Sequence, residues 1–203
     1  MSKKARPNII FIMADDMGYG DVGCYNPESK IPTPNMDRLA KEGMRFTDAH
    51  SPSAGCTPTR YSVLTGRYCW RTRLKEGVVT GYSLPLIESN RSTLAGMLKA
   101  EGYHCACIGK WHLGVKYKDK FGNDLEPENL RPNAEEMEKI IDFSQPVQGG
   151  PADHGFDYSF FMSGCPTCMP PYAFIEDKNL RKYPTTTTLI RCIQADLVQW
   201  FPT

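Results

Sequence analysis

The chain has 203 residues, of which 40% are hydrophobic and 23% are charged, and its formal net charge is +1 at pH 7. This composition is typical of a globular protein and excludes a disordered chain, a collagen-like repeat and a coiled coil. A net charge so close to zero provides no basic field for nucleic acid or an anionic membrane, so we expect neither as a partner. The length indicates one domain, and the eight cysteines are too few for a disulfide scaffold.

The N-terminus passes from a short basic stretch directly into an apolar run, Asn8 to Ala14. We interpret this run as the first strand of the fold and not as an export signal, because no small-residue cleavage site precedes the fold. No apolar run reaches the roughly 18 residues that a membrane span needs. As given, the sequence therefore predicts a cytoplasmic protein; a longer true N-terminus would make it periplasmic or secreted.

The elements that follow alternate between strands and helices. The apolar run at 8–14 is continuous, as expected for a strand covered on both faces. In chain order, the pattern predicts a strand at 8–14, a helix from Pro34 capped by Thr33 and ended by Gly43, a strand at 44–49, a helix at 56–65 closed by Gly66, a helix capped by Ser92 and ended by Gly102, a strand at 103–108, a short helix at 134–141 and a strand at 158–162. This alternation predicts an α/β protein, a three-layer sandwich with a mostly parallel central sheet.

Three groups of chemically active side chains lie next to predicted strands, where open α/β sheets bind their ligands. These groups are Asp15 with Asp16, Cys56 with Arg60, and Lys110 with His112.

Asp15 and Asp16 follow the first predicted strand. Adjacent carboxylates repel each other, and a cation between them relieves the repulsion. Their hard oxygen atoms favour Ca²⁺ or Mg²⁺. The alternative is an acidic turn that caps the next element.

Cys56 begins a predicted helix, and Arg60 lies one turn later on the same side. A helix N-terminus stabilises negative charge, which makes a thiol there more nucleophilic. The guanidinium of Arg60 suits a tetrahedral oxyanion such as sulfate or phosphate. The alternative is a structural cysteine beside a surface arginine.

Lys110 and His112 alternate along an extended chain, which would point both side chains into one pocket. The lysine offers a positive charge, and the histidine can donate a proton. The alternative is a surface lysine beside a histidine bonded to backbone.

The segment Cys56-Thr57-Pro58-Thr59-Arg60 resembles the Cys-x-Pro-x-Arg pattern of type I sulfatases. Other segments between residue 7 and about residue 180 are similar to motifs of the same family and occur in the family's order. They lie at 7–16, 32–40, 51–55, 64–67, 109–114, 154–157 and 170–172. The chain is therefore identified as a member of the arylsulfatase type, in the alkaline-phosphatase-like superfamily.

The resemblance implies hydrolysis of sulfate esters of small molecules or glycans. It implies that a maturation enzyme oxidises Cys56 to formylglycine, whose hydrate attacks the sulfur atom. Asp15, Asp16 and the residue at position 56 would bind Ca²⁺. Arg60 would position the aldehyde hydrate, and Lys110 and His112 would neutralise the sulfate and assist proton transfer.

Family members are much longer than this chain, and their second half completes the metal site. We therefore expect residues 1–203 to be the N-terminal part of a sulfatase catalytic domain, without the C-terminal half and the smaller C-terminal domain, and with an atypical tail at 189–203. Such a truncated α/β sandwich is predicted to have little or no activity alone.

Three alternatives remain open from the residues. One is a phosphonate or phosphate monoester hydrolase of the same superfamily, and another is an inactive truncated domain. The third is a thiol or zinc protein built on Cys165 and Cys168, which form a Cys-Pro-Thr-Cys segment. A loop interpretation of that segment is favoured, while Cys105 and Cys107 are expected in the core.

Overall fold

The computed structural model describes residues 6–181. The described residues divide into two compact units, residues 6–50 and residues 51–181. The predicted tail at 189–203 lies outside the described residues. None of the helices within the described part is long and apolar enough to cross a membrane.

The first unit contains a helix, α1, at Pro34–Glu42, and a short 3₁₀ helix at Tyr19–Asp21. The prediction that α1 starts at Pro34 and ends at Gly43 is confirmed, but Thr33 does not cap it with its side chain. Instead, the Thr33 hydroxyl accepts a hydrogen bond from the Gly23 amide at 2.8 Å and donates one to Asp37 at 3.1 Å.

The predicted strands at 8–14 and 44–49 are wrong: neither segment is a strand in this structure. Ile10 and Ile12 are 85% and 79% exposed. A continuous apolar run forms a strand only where neighbouring strands pair with it and other layers cover it. Residues 6–50 supply no such partner strand.

The second unit holds the remaining helices and all the described strands. They are α2 (Cys56–Thr65), α3 (Leu94–Ala100), α4 (Ala134–Ile140), β1 (Ala106–Lys110), β2 (Tyr158–Met162), β3 (Ile175–Glu176) and β4 (Asn179–Leu180), with 3₁₀ helices at Cys69–Arg71 and Pro151–His154. The α/β class is confirmed, as are the predicted helix at 56–65 and the strand at 158–162.

The four strands form one sheet in the order β1-β2-β3-β4. β1 and β2 are parallel, with Ala106 opposite Tyr158 and Lys110 opposite Met162. The two outer pairings, β2 with β3 and β3 with β4, are antiparallel. The sheet of the described residues is therefore mixed, with one parallel pairing where a mostly parallel sheet was expected.

Two predicted boundaries shift. α3 is capped by Thr93 instead of Ser92, and the Thr93 hydroxyl accepts the Gly96 amide at 3.0 Å. β1 covers Ala106–Lys110, whereas the sequence predicts a strand at 103–108, so both ends of the strand lie further along the chain than expected. The preceding residue, Cys105, is held outside the ladder because its amide donates to the Asp157 carboxylate at 2.9 Å.

One hydrophobic core joins α2 to the sheet. Tyr61 on α2, Trp111 after β1 and Phe161 on β2 are 0–2% exposed and belong to the same cluster. The Trp111 amide donates to the Met162 carbonyl at 3.0 Å, which continues the β1–β2 pairing past the end of β1. The core thus fixes the start of α2 relative to the carboxyl end of β1.

Candidate active site

The site is built around the first turn of α2. Gly55 is the N-cap residue in an extended conformation, and Cys56 is the first helical residue. The turn before the helix is held by Ser53, whose hydroxyl accepts the Gly55 amide at 3.1 Å and whose carbonyl accepts the Thr59 hydroxyl at 2.7 Å. Pro58 fits the first turn because amides there have no helical partner to lose.

Thr57 connects this turn to the chain beyond β1. Its side chain is fully buried. The hydroxyl donates to the His112 carbonyl at 2.9 Å and accepts the Val79 amide at 3.3 Å. Because 55 residues separate Thr57 from His112 along the chain, this contact is what brings two distant motifs to one place.

Arg60 makes a second connection of the same kind. Its Nη1 atom donates to the carbonyl of Lys110, the last residue of β1. Arg60 is half-buried, and its positive charge lies near the thiol of Cys107. The pKa of this thiol is raised by burial, which is the larger effect, and lowered by the charge of Arg60. Burial raises the pKa of Cys107 to about 12, so this thiol is a neutral core residue, as expected.

His112 is fully buried and has a φ of 54°, which ends the extended chain. Its Nε2 atom lies 2.8 Å from the Val79 carbonyl. Since a carbonyl only accepts, Nε2 carries the hydrogen. The alternation that would have pointed Lys110 and His112 into one pocket does not extend through this residue, because its left-handed backbone turns the chain.

The Lys110 side chain reaches across to a different segment. Its Nζ atom donates to the Sγ atom of Cys165 at 3.5 Å. Cys165 is buried and follows β2 by three residues. The structure therefore places Cys56, Arg60, Lys110 and His112 in one region at the carboxyl end of β1, and adds Cys165 to it.

Asp15 and Asp16 lie in the first unit and are exposed. Their carboxylate oxygens have the chemistry that Ca²⁺ prefers, but Ca²⁺ takes about six to eight oxygen ligands. Within residues 6–181, no three His, Cys, Asp or Glu side chains are grouped closely enough to hold a metal ion. The described residues thus fit the ion in donor type but not in number, and we derive no step through it.

The opposite end of α2 is fixed by an ionic network. Glu88 accepts hydrogen bonds from Arg67 at 2.9 Å and from the Tyr61 hydroxyl at 3.0 Å, and it pairs with Arg91 at 3.3 Å. Gly66 ends the helix in a left-handed conformation with φ 65°. Both ends of the helix that carries Cys56 are therefore anchored to residues far away in sequence.

The family model described as Sulfatase matches residues 7–170. The chain belongs to the sulfatase family. The identification from the motifs around Cys56 and Arg60 is thereby confirmed. Sulfatases as a family act on sulfated glycans or small molecules and generally use a formylglycine and a metal ion.

Known sulfatases resemble this chain over most of its length. It is 41% identical over 155 residues to an N-acetylgalactosamine-6-O-sulfatase of Bacteroides thetaiotaomicron, covering 76% of this chain and 26% of the relative. It is 40% identical over 167 residues to human arylsulfatase A, covering 81% of this chain and 28% of the relative. The chain thus spans about a quarter of the length of these curated relatives.

A solved structure gives the same result. A protein from a study of glycosaminoglycan metabolism by Bacteroides thetaiotaomicron superposes with a TM-score of 0.71 at 35% identity. The match covers 88% of this chain and 32% of that chain. The alkaline-phosphatase-like α/β architecture expected of a sulfatase is therefore confirmed.

Sequence reasoning missed two members of this region. Thr57 occupies a variable position of the Cys-x-Pro-x-Arg pattern, and nothing in the local sequence indicates that its hydroxyl is buried. Cys165 lies in a loop, as predicted for the Cys-Pro-Thr-Cys segment, but its spacing from Cys168 does not indicate that it contacts Lys110. Its position three residues after a predicted strand, at the same sheet edge as Lys110, is the signal that could have revealed it.

Proposed function

We propose that this chain forms the N-terminal part of the catalytic domain of an enzyme that hydrolyses sulfate esters. One observation carries the proposal: the first turn of α2, with Cys56 and Arg60 one helical turn apart, is bonded to the carboxyl end of β1 that bears Lys110 and His112. This arrangement holds a potential nucleophile and two positively charged side chains in one region of the fold. Family membership favours a sulfated small molecule or glycan as the substrate.

In this proposal, a formylglycine-generating enzyme oxidises Cys56, and the formylglycine hydrate supplies the nucleophilic hydroxyl. Position 56 suits that role because it lies at a helix N-terminus, where partial positive charge stabilises an anionic oxygen. It is also half-buried, so it is reachable from solvent while held by the helix. Asp15 and Asp16, whose carboxylates are exposed in the first unit, are proposed to contribute oxygen ligands to Ca²⁺.

The remaining residues are proposed to supply positive charge and to fix the position of the backbone at the site. Lys110 places an ammonium group at the carboxyl end of β1 and attracts the negative sulfate group. Arg60 fixes the backbone of Lys110 and adds a second positive charge. His112 holds its hydrogen on Nε2 against the Val79 carbonyl, so its buried ring orients the chain at the start of the turn.

The decisive experiment begins with protein purified from its natural source. The peptide that contains position 56 is expected to carry an aldehyde in place of the thiol. The longer enzyme of which this chain is proposed to be a part is expected to release sulfate from an aryl sulfate, whereas residues 1–203 alone should release little or none. Cys56→Ala should abolish sulfate release, whereas Cys24→Ala, a half-buried cysteine of the other unit, should leave it intact. An unmodified thiol together with sulfate release that survives Cys56→Ala would overturn the proposal.

The same preparation separates a sulfatase from a phosphatase of the same superfamily. Sulfate and phosphate esters of one leaving group differ only in the transferred group. We expect a higher kcat/KM for the sulfate ester. A clear preference for the phosphate ester would reassign the substrate class.

A further inference from the structure

Cys165 and Cys168 form a second chemical feature next to Lys110. Both are free thiols, the first buried and the second exposed. The segment between them is a tight turn, in which the amides of Cys168 and Met169 donate to the Cys165 carbonyl at 3.3 and 3.0 Å. A turn of this type keeps the two thiols on neighbouring positions of one loop.

The Cys165 sulfur has three hydrogen-bonding neighbours. Lys110 Nζ lies at 3.5 Å and the Thr167 hydroxyl at 3.3 Å. The third neighbour is the thiol of Cys168. Such surroundings favour a thiolate, since an ammonium group and two donors all stabilise negative charge on sulfur.

The pKa values of the two thiols are shifted in opposite directions. Burial acts to raise the pKa of Cys165, but hydrogen bonds from Thr167 and Cys168 and the charge of Lys110 outweigh it and lower the pKa to about 7. The hydrogen bond to Cys165 raises the pKa of Cys168. A thiolate beside a second thiol is the arrangement from which a disulfide forms.

We propose that Cys165 and Cys168 are a redox modification site: they form a reversible disulfide, in which the Cys165 sulfur is no longer an anionic partner for Lys110. The inference concerns thiol chemistry and does not depend on which ester the protein hydrolyses. It assigns a use to a Cys-Pro-Thr-Cys segment that the catalytic arrangement around Cys56 leaves unexplained.

The oxidant is a small-molecule disulfide. The exposed thiol of Cys168 loses its proton to water and attacks one sulfur of that disulfide, whose S–S bond breaks and releases one small thiol. The Cys165 thiolate then attacks the Cys168 sulfur, and the second small thiol leaves. The protein gives up two electrons and the one proton of Cys168, and the external disulfide is reduced to two thiols, the second of which takes its proton from water.

Oxidation changes the surroundings of Lys110. A thiolate is an anionic acceptor for the ammonium group, whereas a disulfide sulfur is neutral and accepts hydrogen bonds weakly. The Lys110 amine therefore loses an anionic partner when the disulfide forms. We expect it to react several-fold faster with an acylating reagent in the oxidised protein.

The test equilibrates the full chain in buffers of oxidised and reduced glutathione and then measures peptide masses after alkylation. The parent protein is expected to lose the Cys165 and Cys168 thiols together, with a mass decrease of two hydrogen atoms, and to regain both in reduced glutathione. Cys165→Ser should instead retain one glutathione on Cys168. Cys24→Ser is the matched control and should oxidise like the parent.

A second variant covers the case in which loss of the buried thiol perturbs folding. Cys168→Ser alters only the exposed partner and should keep the Cys165 thiol free in the same buffers. Acylation of Lys110 is compared with that of Lys99, which is paired with Asp157 at 2.7 Å. Parent protein that keeps both thiols, that accumulates glutathione on Cys168, or that shows unchanged Lys110 acylation after oxidation would overturn the proposal.

Discussion

The Thr57 hydroxyl lies 2.9 Å from the carbonyl oxygen of His112 and donates a hydrogen bond to it inside the core. The same hydroxyl accepts the Val79 amide, and the Val79 carbonyl receives Nε2 of His112. Three segments of the chain are thereby closed into one ring of hydrogen bonds. The ring determines where the first turn of α2 lies relative to the end of β1.

Thr57→Val keeps the side-chain volume but removes this hydroxyl. The His112 carbonyl and the Val79 amide lose a buried partner, and an unsatisfied buried group costs about 1–3 kcal/mol. We expect the free energy of unfolding to fall by that amount in urea titrations. The dependence of this free energy on urea concentration should not change.

The control is Thr65→Val at the other end of the same helix. The Thr65 hydroxyl donates to the Tyr61 carbonyl at 2.7 Å, an acceptor that the helical ladder already satisfies. Thr65→Val should lower the free energy of unfolding by clearly less than Thr57→Val does. Equal decreases in the free energy of unfolding for the two variants would mean that the buried hydrogen bonds of Thr57 stabilise the protein no more than the local hydrogen bond of Thr65.

Glu88 makes the stability of the second unit sensitive to acid. Burial acts to raise its pKa, but hydrogen bonds from Arg91, from its own backbone and from Tyr61 outweigh it and lower the pKa from 4.5 to about 2. A carboxyl whose pKa is lowered on folding adds stability above its unfolded pKa and loses it as the pH falls through the folded pKa. The loss should therefore occur between pH 4.5 and 2.

Glu88→Gln tests this window. At pH 7 the variant should unfold more easily than the parent, and the difference should shrink as the pH falls from 4.5 towards 2. Glu126→Gln is the control, because Glu126 forms an exposed pair with Lys116 at 2.9 Å and such pairs contribute little. A difference between Glu88→Gln and the parent that stays constant with pH would contradict the assignment.

Local signals in the sequence predicted the helices well. Gly66 stops α2 because a left-handed residue was needed there, and glycine adopts that conformation without strain. The helix at Ala134–Ile140 follows Asn133, whose side chain accepts two amides of its first turn. Both signals act within a few residues of the chain and so are readable without tertiary structure.

The strands were harder because pairing is not local. The apolar run at 8–14 has the composition of a buried strand, yet residues 6–50 contain no strand to pair with it. The contact between Thr57 and His112 cannot be predicted for the same reason, since the two residues lie 55 positions apart in the chain. Asp15 and Asp16 remain predicted calcium ligands on their residue type alone.

Gly155 allows a close approach between the His154 turn and α3. Its φ is 96°, and a Cβ atom there would overlap the backbone of Gly96 and Ala95. Gly155→Ala therefore adds left-handed strain of ~1–2 kcal/mol to an overpacking cost of ~1–3 kcal/mol. We expect a large fall in Tm or failure to accumulate folded protein.

Gly122→Ala separates these two costs. Gly122 also has a left-handed φ, 86°, but a Cβ atom there would meet no atom within 4 Å. This variant should lose only the backbone contribution. A Gly122→Ala protein as unstable as Gly155→Ala would show that strain, and not the approach to α3, dominates at residue 155.

Arg60 is expected to act in the proposed reaction by holding the end of β1. Its Nη1 atom donates to the Lys110 carbonyl, and a hydrogen bond from a charged donor contributes about 1.5–3 kcal/mol. Arg60→Lys keeps the charge but loses the planar guanidinium, so the backbone of Lys110 is no longer held. In the longer enzyme that contains this chain, we expect kcat for an aryl sulfate to fall by roughly tenfold or more, since about 1.4 kcal/mol corresponds to a factor of ten, with a smaller change in KM.

Arg67→Lys is the matched control, because Arg67 follows the same helix and donates to Glu88 and to the Arg71 carbonyl. It should lower Tm while leaving kcat close to the parent value. If Arg60 acts by positioning Lys110, Arg60→Lys should mainly lower kcat, whereas Arg67→Lys should mainly lower Tm. Arg60→Lys with parental kcat and reduced Tm alone would show that the Arg60–Lys110 contact only stabilises the fold.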